Sequence, residues 1–246
     1  MNIYESWIAT KPIAHRGLFN DEIPENSIAA FKNAIKNKMP IEIDVTCLAD
    51  ETPVVFHDEK LARMTGKNGF ISNCNYEDIA NLTLKGTKER IPTFEQALEA
   101  IAGKVPILIE IKNFGKVGSF EKNIWKILQK YDGEYAIESY NPYTLEWFKN
   151  NAPKIKRGQT ASFFKNKEII GLRKFSLKRM HYNKKISEPS FIIYKIEDMP
   201  NRFVRKYTGK IPILVYTVRS KDQEIESKEF SDNFIFDSYV PDDYLK

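Results

Sequence analysis

Two cysteines in 246 residues are too few for a disulfide framework, and Cys47 and Cys74 form no CxxC pair around which zinc could be held. Histidine is almost as scarce, with three in the chain. No apolar run approaches the roughly 20 residues that a bilayer-spanning helix needs. The opening Met1-Asn2-Ile3-Tyr4-Glu5-Ser6-Trp7 lacks the basic and then apolar regions of a secretory signal. These absences favour a reducing cytoplasm as the location of the protein. Also missing are a Pro/Gly/Ser-rich linker, a low-complexity tract and a glycine-rich dinucleotide fingerprint. Apolar residues make up 42% of the chain and aromatics 13%, enough for a sizeable core and too many for a disordered chain.

The net charge of +5 is modest and unevenly placed. From Lys149 to Lys210 bases outnumber acids several-fold, the acids being only Glu168, Glu188, Glu197 and Asp198. A basic surface beside an acidic site suits an anionic substrate, while most of these lysines read as ordinary solvated surface. No recognition module accompanies the basic bias, so nucleic acid is not expected as a partner.

Short β-rich runs alternate with helical stretches. The expected strands are Ile13–His15, Ile41–Cys47, Pro106–Lys112, Tyr135–Ser139, Ile155–Gln159, Phe191–Lys195, Ile211–Thr217 and Asn233–Asp237. Continuous apolar runs such as Ile107-Leu108-Ile109 fit strands covered on both faces, as in a parallel sheet. Between them, Ile28, Phe31 and Ile35 form one helical stripe within Asn26–Asn37. Thr93 and Gln96 make a capping box, and Asn141-Pro142 opens another helix. Eight strands alternating with helices over this length predict a single (β/α)8 TIM-barrel domain spanning residues 1–246. Pro53-Val54-Val55-Phe56 reads as a short extra strand forming a hairpin with the second barrel strand. With Arg63–Thr83 it makes a small insertion, about 53–83, before the third.

The charged residues fall where such a barrel gathers its chemistry. His15 ends the first strand, Glu42 and Asp44 lie on the second, and Glu110 and Lys112 on the third. Catalytic groups of these barrels collect at the C-terminal ends of the strands. Glu42 and Asp44 are two apart and project to the same face. On so apolar a strand, buried acids need partners, and three converging carboxylates raise one another's pKa unless a cation sits among them. Oxygen-only ligation points to Mg²⁺ or Ca²⁺ rather than to zinc or copper. Lys112 also has a simpler reading as an ion-pair partner of Glu110. His57-Asp58 takes its force from this company, and His181, with no acidic neighbour, reads as surface.

With these residues in place, the chain resembles the glycerophosphodiester phosphodiesterases, metal-dependent enzymes on a (β/α)8 barrel. The resemblance rests on His15-Arg16-Gly17, Pro24-Glu25-Asn26-Ser27, Glu42-Ile43-Asp44, His57-Asp58 and Glu110-Ile111-Lys112, in that order. Flanking blocks match too, among them Leu61-Ala62-Arg63-Met64-Thr65 and Ser139-Tyr140-Asn141-Pro142. The resemblance implies a divalent ion on Glu42, Asp44 and Glu110, and phosphate oxygens on Arg16 and Lys112. His15 and His57 would be general base and general acid, with Glu25, Asn26 and Asp58 supporting them from behind. It further implies a small-molecule glycerophosphodiester as substrate, hydrolysed to an alcohol and glycerol 3-phosphate. Either a glycerol hydroxyl attacks first, giving a cyclic phosphate that water opens, or water attacks directly.

Ser27 stands where the family has threonine, and Tyr216 where many members have tryptophan, so the pocket wall at Tyr216 is expected to differ. The resemblance is weakest over 162–190. There, across 163–185, apolar residues such as Phe163, Phe164 and Leu172 interleave with lysines and arginines. An ordinary barrel helix with a basic outer face is the favoured reading, and a lipid-facing amphipathic element making peripheral membrane contact is the other. Two alternative functions stay open: a lysophospholipase D-like activity on lipid substrates, and an inactive barrel that binds a phosphate ligand. The second is disfavoured by the pair His15 and His57, since a binding protein needs no acid and base.

Overall fold

Nine strands among the described residues of the computed structural model form one sheet: β1 (Ile13–Ala14), β2 (Ile41–Cys47), β3 (Pro53–Val55), β4 (Ile107–Ile111), β5 (Tyr135–Ser139), β6 (Arg157–Ala161), β7 (Phe191–Lys195), β8 (Ile213–Val218) and β9 (Asn233–Phe236). The structure describes residues 2–113, 115–163, 177–180 and 185–244. The sheet order is β1-β9-β8-β7-β6-β5-β4-β2-β3, and β1 also pairs in parallel with β2. Eight strands thereby close into a parallel (β/α)8 barrel, and β3 is the extra strand, antiparallel to β2. The hairpin expected at Pro53 is therefore present. By internal contacts the chain divides into two units, Ala14–Tyr135 and Met1–Ile13 with Ala136–Lys246.

In the Ala14–Tyr135 unit, β2 pairs with β4 in a register that sets Glu42 opposite Leu108 and Asp44 opposite Glu110. Ile41, Ile43 and Val45 alternate with the two acids, and all five residues are buried. Helix Ile28–Lys36 starts on Ser27, whose hydroxyl accepts the Ala30 N–H at 3.1 Å. The expected capping box is formed on helix Phe94–Ile101: Thr93 Oγ1 accepts the Gln96 N–H at 3.1 Å, and Gln96 Oε1 accepts the Thr93 N–H at 3.0 Å. The stretch between β2 and β4 carries a small core of its own, in which Val54, Phe56, Leu61, Met64, Ile71 and Ile79 are buried.

In the other unit, β6 lies two residues later than the expected 155–159. Ile155 drew the expectation forward, but Arg157–Ala161 is where the ladder to β7 runs. A strand so poor in large apolar residues is stabilised by what fills the space around it. The Phe191 ring occupies the position a Cβ on Gly158 would take, 2.3 Å from that point. Thr160 Oγ1 donates to Glu138 at 2.5 Å, giving a buried carboxylate a partner. β8 begins at Ile213 rather than Ile211, because Pro212 brings no N–H to a ladder. Among the described residues no helix is long and apolar enough to cross a membrane. Most of the 163–185 segment, and His181 with it, lies outside the described residues.

Candidate active site

The site is built first by a turn that only certain residues tolerate. After β1, Arg16 and Gly17 both have left-handed backbones, with φ of 57° and 80°. A Cβ on Gly17 would stand 2.8 Å from Ala30 Cβ and 2.9 Å from the Ala30 carbonyl carbon. Glycine therefore lets the turn press onto helix Ile28–Lys36, where the Leu18 N–H reaches Ala30 O at 3.1 Å. Asn26, φ 54°, locks the turn to the neighbouring strand. Its N–H donates to Arg16 O at 2.9 Å, its Nδ2 donates to Asp44 Oδ2 at 2.8 Å, and its Oδ1 accepts the Asp44 N–H at 3.3 Å.

Around that turn the cations and carboxylates of the five motifs converge. The Arg16 N–H donates to Glu42 Oε2 at 2.9 Å. The Arg16 guanidinium donates through Nη1 to Glu25 Oε1 at 2.5 Å, and its Nε lies 3.2 Å from Asp44 Oδ2. His15 Nε2 is 4.0 Å from Glu42 Oε2. Lys112 follows β4 and sets Nζ 3.1 Å from Asp44 Oδ1 and 3.2 Å from Glu110 Oε2. The carboxylates of Glu42, Asp44 and Glu110 each offer an oxygen within 4.8 Å of the other two. Sequence neighbours on β2 and register partners across β2–β4 thus meet in one cluster.

Burial pushes the Asp44 carboxyl up, but Lys112, Arg16 and the two histidines overcome it and hold the group well below the usual carboxylate range. Glu110 goes the other way, raised by burial and by the charge of Asp44 despite Lys112. Lys112 is held above its ordinary range by Asp44 and Glu110 against the opposing effect of burial. The cluster is short of positive charge, since Arg16 also serves Glu25. Asp44 Oδ1 is buried, with the Lys112 ammonium at 3.1 Å as its ionic partner. Three converging carboxylates that offer only oxygen donors and outnumber the cations beside them fit a hard divalent cation.

His57, after β3, presents Nδ1 to Asp58 Oδ1 at 2.7 Å. Asp58 is in turn gripped by Arg63, through Nε to Oδ2 at 2.6 Å and Nη2 to Oδ1 at 2.9 Å. These hydrogen bonds hold the Asp58 carboxyl far below its ordinary value, although burial alone would raise it. Arg63 is the residue that the sequence motifs did not assign to the site. Its signal was its place in the block Leu61–Thr65, five residues after Asp58. Tyr216 lies on β8, in the other unit, with its hydroxyl hydrogen-bonded to that of Tyr140 and its ring edge-on to the Tyr140 ring.

Fold and cluster together define a parallel (β/α)8 barrel that carries a buried cluster of three carboxylates with Arg16 and Lys112 beside it. Residues 15–235 match the glycerophosphoryl diester phosphodiesterase family, and the chain belongs to that family. A glycerophosphodiester phosphodiesterase of Caldanaerobacter subterraneus is 38% identical over 61% of this chain and 65% of its own length. The human lysophospholipase D GDPD1 is 32% identical over 51% of this chain and 43% of its own length. The match thus spans less than two thirds of either relative. The fold is shared with an Oleispira antarctica phosphodiesterase solved with its product sn-glycerol-3-phosphate, at a TM-score of 0.77, 22% identity and 93% coverage of each chain.

Proposed function

We propose that the chain hydrolyses glycerophosphodiesters to an alcohol and glycerol 3-phosphate, using His15 and His57 as proton carriers. The supporting observation is the convergence of Glu42, Asp44 and Glu110 with Arg16 and Lys112, in a field that both histidines share. Glu42, Asp44 and Glu110 would hold Mg²⁺ or Ca²⁺, which when bound would stabilise the charge that builds on the phosphoryl oxygens. Arg16 and Lys112 take the nonbridging oxygens of the phosphodiester, Arg16 through a planar fork and Lys112 as a point charge. Both cations are preorganised by the carboxylates around them, so little reorientation is needed when substrate arrives.

His15 accepts the proton of the attacking hydroxyl, whether of glycerol or of water. Asp58 fixes Nδ1 of His57 as the N–H position, which leaves Nε2 to give its proton to the departing alcohol. Each such proton transfer contributes on the order of 10²–10⁴-fold to the rate. Cys47 and Cys74 are free thiols, in keeping with the reducing cytoplasm proposed for the chain.

The test is release of glycerol 3-phosphate from glycerophosphocholine and glycerophosphoethanolamine, with Mg²⁺, Ca²⁺ or chelator. His15→Ala and His57→Ala should each lose about 10²-fold or more in kcat. Unchanged turnover in both would sink the acid and base assignment, and full activity after chelation would sink the three-carboxylate metal site. The human relative's name supports a second reading, lysophospholipase D activity, so lysophosphatidylcholine belongs in the same assay with free choline as readout. Turnover abolished by the histidine variants would also dispose of an inactive binding barrel.

A further inference from the structure

Arg63 sits in the four-residue helix Ala62–Thr65, between Leu61 and Met64, which are both buried in the small core behind β3. That packing fixes its backbone, and the Leu61 N–H donates to Gly69 O at 3.0 Å to close the loop. The side chain is 44% exposed, so ordinary expectation would make it a surface ion pair of little consequence. Its geometry is of another kind. Nε and Nη2 take both oxygens of Asp58 at 2.6 and 2.9 Å, while Nη1 and Nη2 take both oxygens of Glu25 at 2.8 and 2.7 Å. Each of those carboxylates has a second task. Asp58 holds His57 Nδ1 at 2.7 Å, and Glu25 holds Arg16 Nη1 at 2.5 Å.

We infer that Arg63 is a positioning residue that couples the proton donor to the phosphate clamp through the chain His57–Asp58–Arg63–Glu25–Arg16. This rests on the roles assigned above to His57 and Arg16. One guanidinium sets the direction of Asp58, and thereby the orientation of the His57 ring and the aim of Nε2. The same guanidinium sets Glu25, and thereby the plane in which Arg16 meets the phosphodiester. Lysine cannot replace it, because an ammonium group cannot make bidentate contacts to two carboxylates at once. Removing it leaves Asp58 beside His57 with no fixed orientation and Glu25 with Arg16 as its remaining ion-pair partner.

The test compares Arg63→Met and Arg63→Lys with wild type and His57→Ala, after melting curves establish that each variant folds. Two substrates are used: glycerophosphocholine, whose alkoxide leaving group needs a proton, and a glycerol p-nitrophenyl phosphodiester, whose phenolate does not. Arg63→Met should lose roughly tenfold to hundredfold in kcat on glycerophosphocholine and far less on the p-nitrophenyl ester. KM should rise for both substrates as Arg16 loosens, and Arg63→Lys should recover only a minor part. A proton–nitrogen NMR spectrum of the folded protein adds an arm independent of turnover. The His57 Nδ1–H resonance, assigned by its loss in His57→Ala, should shift or vanish in Arg63→Met.

Equal losses on both substrates, full activity in Arg63→Lys, or an unmoved Nδ1–H resonance in Arg63→Met would each overturn the positioning role. If wild type cleaves neither substrate, or His57→Ala shows no preference between them, the assigned reaction or the acid role of His57 fails instead. The resonance still decides whether Arg63 orients the ring.

Discussion

Lys112 shows how much a single side chain can carry in a site of this kind. It neutralises Asp44 and Glu110 together, from 3.1 and 3.2 Å, with only 10% of its side chain exposed. Taking one partner out of a buried ionic cluster costs about 3–5 kcal/mol, because the remaining charges stay buried without compensation. Lys112→Met should therefore lower the melting temperature in the presence of chelator by roughly 10 °C, at about 2–4 °C per kcal/mol for a chain of this size. A divalent cation should raise the melting temperature of the variant more than that of wild type, since it then has more uncompensated negative charge to meet. Thermal melts of both proteins with chelator and with Mg²⁺ measure this, and equal cation-induced shifts would count against the cluster as a cation site.

At the scale of elements, two substitutions of similar size separate turn geometry from ordinary capping. Gly17→Ala puts a methyl group where Ala30 already stands, on a backbone with φ of 80°. Strain and overpacking together cost about 1–3 kcal/mol. Because His15 and Arg16 share that turn, kcat should fall as well. Thr93→Ala removes the cap of helix Phe94–Ile101 for about 1 kcal/mol, and its kinetic constants should match wild type. Urea melts and steady-state kinetics on both variants read the contrast, and a Gly17→Ala enzyme with wild-type kcat would break the link between turn and chemistry.

These elements also mark what could be read from the sequence. Caps and motifs are local: Thr93 and Gln96 are three residues apart, and Glu42 and Asp44 are two apart, so their relation follows from helix or strand periodicity. The pairing of Asp44 with Lys112 depends instead on the β2–β4 register, which no local spacing encodes. Arg63 depends on a short helix folding back over residues 38 positions away, as its bonds to Glu25 show. β6 begins later than the sequence suggests because its five buried residues, Arg157, Gly158, Gln159, Thr160 and Ala161, include no large apolar side chain to signal a strand, while Ile155 just before it is one. Position 216 was legible as a departure, but the hydroxyl of Tyr140 that meets it was not, lying 76 residues away.

For the whole molecule, these buried charges make stability depend on pH, with opposite signs for different carboxylates. Burial pushes Glu25 up, yet the hydrogen bonds and charges of Arg63 and Arg16 outweigh it and leave the group below its ordinary value. The unfolded chain then binds the extra proton, so the contribution of Glu25 is fully present above the ordinary glutamate pKa of about 4.3 and is lost as pH falls through the folded value. Glu110, held above its ordinary value, acts in reverse: its folded form prefers the proton, and stability declines as pH rises past the ordinary value. The total curve mixes the two, but the difference between wild type and Glu25→Gln isolates the first. Glu25→Gln should be the less stable protein at pH 7, and the gap should narrow steadily as the pH is lowered below about 4.3. Urea denaturation at a series of pH values gives both curves. Parallel curves would mean that Arg63 and Arg16 do not hold Glu25 ionised, and that the ion chain behind the site contributes nothing to the folded state.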